Sequence, residues 1–170
     1  MIPNEIREKL QNIINGTCFK GATDHCATVR NLLIESFGTG STIKAEFESK
    51  AIVKEKQASF LKSWAKETDL RFDALPSGSA YLTRGGESKI YLAPDKMNVI
   101  KLNDAIYYAT WDEYLNSIAL HNLLFPNTSY SFLFFGWFHG DRQRSVCRVV
   151  TAFYRGRTST TKRYKRAFNL

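Results

Sequence analysis

One segment, Gly85–Asp104, constrains the fold more than any other part of the sequence. Its two halves are rich in β-branched and aromatic residues, and residues 94–96 between them have the composition of a turn, so the segment predicts a β-hairpin. A glycine pair, Gly85 and Gly86, stands at its entrance, and Lys101 lies among apolar neighbours in the second strand. A lysine in such a strand either extends to solvent or points at an anion.

The glycine pair and the lysine also follow one another along the chain as they do in a phosphate-binding site. Glycine lets backbone N–H groups approach a ligand without a Cβ clash. Protein kinases hold a nucleotide with a glycine-containing hairpin followed by a lysine-bearing strand. Only Gly85, Gly86 and then Ile90 remain of the full glycine-rich signature. The alternative is an ordinary hairpin with one solvated lysine on its open face.

The hydrophobic pattern predicts helices first and a sheet afterwards. Helices are expected over residues 4–14, about 24–37, about 42–67 and 110–125, and strands over 80–83, the two halves of the hairpin, 130–138 and 146–151. We therefore predict an α+β fold, in which a helical N-terminal region precedes a five-stranded antiparallel sheet with one crossing helix. This element order is that of a protein-kinase amino-terminal lobe.

The domain prediction follows from the same pattern. Residues 1–70 form a helical extension, residues 79–151 a kinase-lobe-like domain, and residues 152–170 a basic tail. The helices of the extension either bind a partner as a docking or regulatory module, or pack against the sheet that follows.

Several segments resemble a known family, the polyvalent protein kinases of bacterial mobile elements, which are serine/threonine/tyrosine kinase-like. The similar segments lie within about residues 1–151 and are EFESKAIVKEKQASFLKSWAKE, GGESKIYL, NVIKLNDAIYYATWDEYLNSIALHN and LFPNTSYSF. The resemblance implies that Lys101 holds the phosphates of ATP, accompanied by Mg²⁺. It also implies that Gly85, Gly86 and Glu87 form the turn that covers those phosphates.

The resemblance makes Glu113 the candidate for the helix glutamate that pairs with Lys101. Thr110 and Glu113 also have the spacing of a capping box, so a purely helix-capping role for Glu113 stays open. His121 and Asn122 belong to the matching pattern as well. We expect them to fix the end of the helix through hydrogen bonds near its last carbonyls.

The sequence also departs from that family. Family members continue into a second lobe that holds a catalytic-loop Asp and Asn and a metal-binding Asp, and phosphoryl transfer needs such groups as well as the lysine. None of them is present in these 170 residues. We therefore expect a truncated lobe that binds ATP weakly at most and is inactive alone. We also expect self-association, or a partner chain, to cover the exposed underside of the lobe.

The net charge of +8 is confined to the end of the chain, because residues 1–140 hold equal numbers of acidic and basic side chains. One explanation is a frameshift near Val150–Thr151: one permitted choice of codons, read one base later, gives QPFIEAERVRQKDIKEHLI and restores the family pattern. The alternative is a nucleic-acid-binding arm in which Tyr154, Tyr164 and Phe168 stack on bases.

The three cysteines predict free thiols and a cytoplasmic protein, because they are odd in number and far apart. Cys18, His25 and Cys26 lack a fourth ligand at a zinc-like spacing, so no metal site is expected there. The sequence holds no apolar run of about 18 residues, and we expect no transmembrane helix.

Overall fold

The computed structural model describes residues 2–21, 24–38, 49–70, 74–139 and 145–154. It confirms a mixed fold of helices and an antiparallel sheet. The helices are α1 (Asn4–Asn15), α2 (His25–Phe37), α3 (Lys50–Glu67) and α4 (Trp111–Leu124), with a short 3₁₀ helix at Pro126–Thr128. The strands are β1 (Ala80–Arg84), β2 (Ser88–Leu92), β3 (Asn98–Asn103), β4 (Tyr130–His139) and β5 (Ser145–Tyr154).

The predicted hairpin is formed by β2 and β3. Together with β1 they make a three-stranded antiparallel meander, in which Ile90 lies opposite Lys101. Beyond β3 the strand order continues with β5 and then β4, so Lys101 also lies opposite Thr151. The last strand lies between its two neighbours and is therefore hydrogen-bonded on both edges.

The last strand corrects one boundary of the sequence prediction. It was expected to end at Thr151, but β5 continues to Tyr154. The backbone of Ala152 pairs with both Ile100 and Ser131, and Tyr154 pairs with Asn98. Pairing with strands on both sides extends β5 through residues whose side chains show no strand period. Residues 152–154 therefore belong to the sheet.

Local signals define most helix ends. Gly16 ends α1 in the left-handed conformation (φ 64°), where glycine carries no Cβ penalty. The Asp24 side chain accepts a hydrogen bond from the Ala27 N–H at the start of α2. The start of α3 differs from the prediction, because Ser49 is extended and its hydroxyl caps the helix that begins at Lys50. The predicted helical residues 42–48 lie outside the described residues.

One hydrophobic core joins the helices to the sheet. Trp111 at the start of α4 is 2% exposed and packs edge-on against Phe135 of β4, with ring centroids 5.3 Å apart. Side chains of α2 and α3 complete this core, including Leu33 and Leu61, both fully buried. Helices α2 and α3 thus pack against the same core as the sheet.

A buried arginine of α2, Arg30, bonds to α4, to the Asn12 carbonyl of α1 and to the segment after α1. Arg30 Nε donates to Asn116 Oδ1 (2.6 Å), and Arg30 NH1 donates to the Thr17 carbonyl (2.9 Å). The guanidinium lies 4.0 Å from the ring centroid of Phe19. Burial lowers the pKa of Arg30 to about 10, so the group is charged at neutral pH.

Two side chains fix the connection from α4 to β4. Asn122 donates to the Tyr130 carbonyl (2.8 Å) and accepts from the Tyr130 N–H (2.7 Å), as a neighbouring strand would. His121 Nε2 lies 3.0 Å from the Thr128 carbonyl oxygen. These side chains therefore bond the segment that follows the helix, and not the last helical carbonyls, where they were expected.

Gln57 ties α3 to the start of α4. Its side-chain oxygen accepts from the Trp111 N–H (2.7 Å), and its amide donates to Asp112 Oδ1 (2.8 Å). Both Gln57 and Asp112 are buried.

Among the described helices, none has both the length and the apolar character that a membrane span requires.

We expect Gln57→Leu to lower the free energy of unfolding by about 2–4 kcal/mol, because it removes two buried hydrogen bonds, one of them to a carboxylate. Urea denaturation followed by tryptophan fluorescence measures the change. Gln11→Leu is the matched control, because Gln11 is exposed on α1. Equal stabilities for the two variants would contradict the assignment of Gln57.

Candidate functional site

The glycine pair forms the turn between β1 and β2. The Gly85 N–H donates to the Ser88 carbonyl (2.8 Å) and closes the turn. The backbone angle φ lies outside the left-handed region at both glycines. A Cβ added to Gly86 would lie 2.9 Å from the Tyr107 hydroxyl, whereas one added to Gly85 would meet nothing closer than 3.9 Å. A side chain at residue 86 would therefore displace the exposed Tyr107 ring, whereas residue 85 has room for one.

Lys101 lies on the face of the sheet that the helices cover. The register puts it on the same side as Tyr130 and Phe135, and its Nζ is 5.7 Å from the Tyr130 ring centroid. The side chain is half-buried, and it forms no ion pair with a carboxylate of the described residues. A cation in that position attracts an anion more strongly than one in bulk water.

The negative charge of Glu87, in the glycine turn, affects the ionisation of the Tyr130 phenol. The pKa of Tyr130 is raised first by burial and then by the negative charge of Glu87, with a smaller contribution from Tyr108. Lys101 therefore lies beside the Tyr130 ring, and the charge of Glu87 acts on the same phenol. No sequence pattern links Tyr130 to Lys101, because β5 lies between their strands.

Glu87→Gln should lower the pKa of Tyr130, because it removes a nearby negative charge that opposes ionisation of the phenol. Burial should still keep the pKa above its ordinary value. Titration of the ¹³Cζ resonance of labelled tyrosine measures the shift, with Tyr130→Phe to assign the signal. Glu55→Gln, at an exposed residue of α3, should leave the curve unchanged. An unchanged curve for Glu87→Gln would place Glu87 away from the ring.

An apolar surface flanks Lys101 on the same face of the hairpin. The register places Ile90 and Leu92 of β2 and Val99 of β3 on the side of Lys101. Each of these side chains is half-buried, so part of each remains open to a ligand. An apolar surface beside one cation suits a ligand that has a flat ring and an anionic group.

Glu113 caps the start of α4 and pairs with α3. Its N–H donates to the Thr110 hydroxyl (3.4 Å), and its Oε2 accepts from the Ala109 N–H (3.1 Å). Its Oε1 forms an ion pair with Lys50 Nζ at 3.1 Å, and it is not paired with Lys101. The capping role is confirmed. Pairing of Glu113 with Lys101 when a nucleotide binds stays a prediction.

Among the described residues, no group of three or more His, Cys, Asp or Glu side chains is arranged to hold a metal ion. Cys18 Sγ lies 3.6 Å from Glu35 Oε1, and Cys26 Sγ lies 3.9 Å from the Tyr130 carbonyl oxygen. Of the aromatic residues considered for nucleic-acid stacking, Tyr164 and Phe168 lie outside the described residues.

A family model described as a serine/threonine/tyrosine kinase found in polyvalent proteins matches residues 54–167, about two thirds of the chain. The chain belongs to this kinase family. The match begins within α3 and includes α4, all five strands and most of the segment predicted to be out of frame. No curated protein and no solved structure matches the chain.

Proposed function

We propose that the chain is the nucleotide-binding lobe of a kinase-like protein, which binds ATP weakly with Mg²⁺ and transfers no phosphoryl group by itself. Lys101 carries the proposal. It is a half-buried cation with no ion pair among the described residues, on the face of the sheet that the helices cover. The family match supports a kinase-like domain.

The surroundings of Lys101 suggest how a nucleotide would lie. The adenine would rest on the half-buried Ile90, Leu92 and Val99, and the phosphates would meet Lys101 Nζ. In the described part of the chain, the N–H groups of Gly86 and Glu87 have no hydrogen-bond acceptor, so they are available to phosphate oxygens. Backbone N–H groups at a turn are common donors to phosphates.

The same proposal includes weak binding of the nucleotide and no phosphoryl transfer by this chain alone. A kinase closes its cleft between two lobes, whereas this sheet would cover the nucleotide from one side only. Phosphoryl transfer also needs a base and metal ligands. The described residues bring no set of acidic or imidazole side chains together for that purpose. Mg²⁺ would therefore bind through the phosphates of the nucleotide.

Titration calorimetry with ATP and Mg²⁺ tests the proposal. We expect a dissociation constant weaker than about 1 μM for the wild type. Lys101→Met should weaken binding about tenfold or more, because it removes the charge-assisted contact to the phosphates. The control is Lys89→Met, one strand away on the opposite face of the sheet. Binding tighter than about 1 μM that survives Lys101→Met would place the nucleotide elsewhere.

Nucleic-acid binding by the basic tail remains the alternative. Deleting residues 155–170 leaves β5 whole and removes six of the nine basic residues that follow residue 140. If the tail binds nucleic acid, this deletion abolishes salt-dependent binding, while the response of ATP binding to Lys101→Met stays the same.

Self-association, or a partner chain that covers the underside of the lobe, is also part of the proposal. Sedimentation velocity over a range of protein concentrations tests the first form. A single monomeric species at every concentration would contradict self-association and leave the partner chain.

A further inference from the structure

Three polar side chains of α3 face the segment between β3 and α4. Lys50, Lys54 and Gln57 are spaced by four and three residues, so they share one face of the helix. Lys50 and Gln57 both contact the first turn of α4, at Glu113 and Trp111 respectively. Lys54 lies between them and contacts the loop that precedes α4.

Lys54 closes a turn in that loop. Its Nζ donates to the Ala105 carbonyl (2.6 Å) and to the Tyr108 carbonyl (2.7 Å), and the Tyr108 N–H donates to the Ala105 carbonyl (3.0 Å). Burial lowers the pKa of Lys54, and the charges of Asp104 and Glu113 oppose this shift. Hydrogen bonds from an ammonium group are about twice as strong as neutral ones. The Ala105–Tyr108 turn is therefore held from α3.

The Ala105–Tyr108 turn places the Tyr107 side chain next to the glycine turn. The Tyr107 side chain is 73% exposed, yet its hydroxyl and its Cε2 lie within 2.9 and 3.3 Å of the point that a Cβ of Gly86 would occupy. The Asp104 N–H also donates to the Glu87 carbonyl, at 3.4 Å. Tyr107 and the Asp104 amide thus brace the glycine turn from the side of the loop.

We infer that Lys54 is a positioning residue of the nucleotide site. It holds the Ala105–Tyr108 turn, and through Tyr107 that turn fixes the glycine turn in the conformation that receives phosphates. Helix α3 then helps to position the ligand site, although it belongs to the N-terminal extension. The inference rests on the proposed function for the identity of the ligand, but the coupling from α3 to the glycine turn can be measured without one.

Hydrogen exchange on the full chain tests the coupling. In Lys54→Met we expect the Gly85 amide, which is bonded to the Ser88 carbonyl, to exchange about tenfold faster, because local opening of the turn becomes easier. Lys54→Arg keeps the charge and should restore most of the protection. Lys66→Met, at an exposed residue of the same helix, is the matched control and should exchange as the wild type does. Wild-type exchange in Lys54→Met would overturn the inference.

A second variant approaches the turn from the other end. Tyr107→Ala removes the contact with Gly86 and, because Tyr107 is exposed, should leave the fold intact. It should loosen the glycine turn as Lys54→Met does, and the double variant should be less than additive, since both changes interrupt one path. If Lys54→Met does not fold, Tyr107→Ala alone decides, and unchanged exchange at Gly85 refutes the coupling.

Nucleotide titration separates this inference from the proposed function. Lys54→Met and Tyr107→Ala should each weaken ATP binding about threefold or more, while Lys66→Met should not. If no variant or wild type binds ATP but the exchange results hold, the proposed function fails and the coupling stands. If ATP binds through Lys101 but neither variant changes binding or exchange, the coupling fails and the proposed function stands.

Discussion

The start of α4 is the place where the helical and β parts of this protein are joined. The Trp111 ring packs on Phe135 of the sheet, while its backbone N–H donates to Gln57 of α3. In the first turn of the same helix, Glu113 forms an ion pair with Lys50 of α3. A polar network buried beside an apolar contact is costly when it is incomplete, so it fixes one arrangement of the three elements. The loop before α4, and with it the glycine turn, takes its place from that arrangement.

The candidate site lies next to this junction, on the same face of the sheet. The helices cover Phe135 and part of Tyr130, and Lys101 follows at the margin of the covered area, half-buried and without an ion pair among the described residues. Partial burial of a cation costs free energy that a bound anion would offset. The family match shows a kinase-like domain, and a nucleotide as the ligand of this site is our proposal.

The sequence predicts best what local chemistry decides. The β2–β3 hairpin and the Thr110 cap depend on neighbours within a few residues, and both were predicted. No local pattern indicates the role of Gln57, because its partners, Trp111 and Asp112, are more than fifty residues away. The ion pair of Lys50 with Glu113 was missed for the same reason. The true end of β5 depends on pairing with two other strands, which no local pattern records.

The most direct test of the account is to map the residues of the sheet whose NMR signals change when ATP is added. Heteronuclear NMR, with ¹⁵N on the lysine Nζ and ¹³C on the methyl groups, can follow a titration with ATP and Mg²⁺. The account predicts shifts at Lys101 and at the methyl groups of Ile90 and Val99, which lie on one face of the hairpin. Shifts confined to the opposite face, at Lys89 and Leu102, or to the basic tail would contradict it.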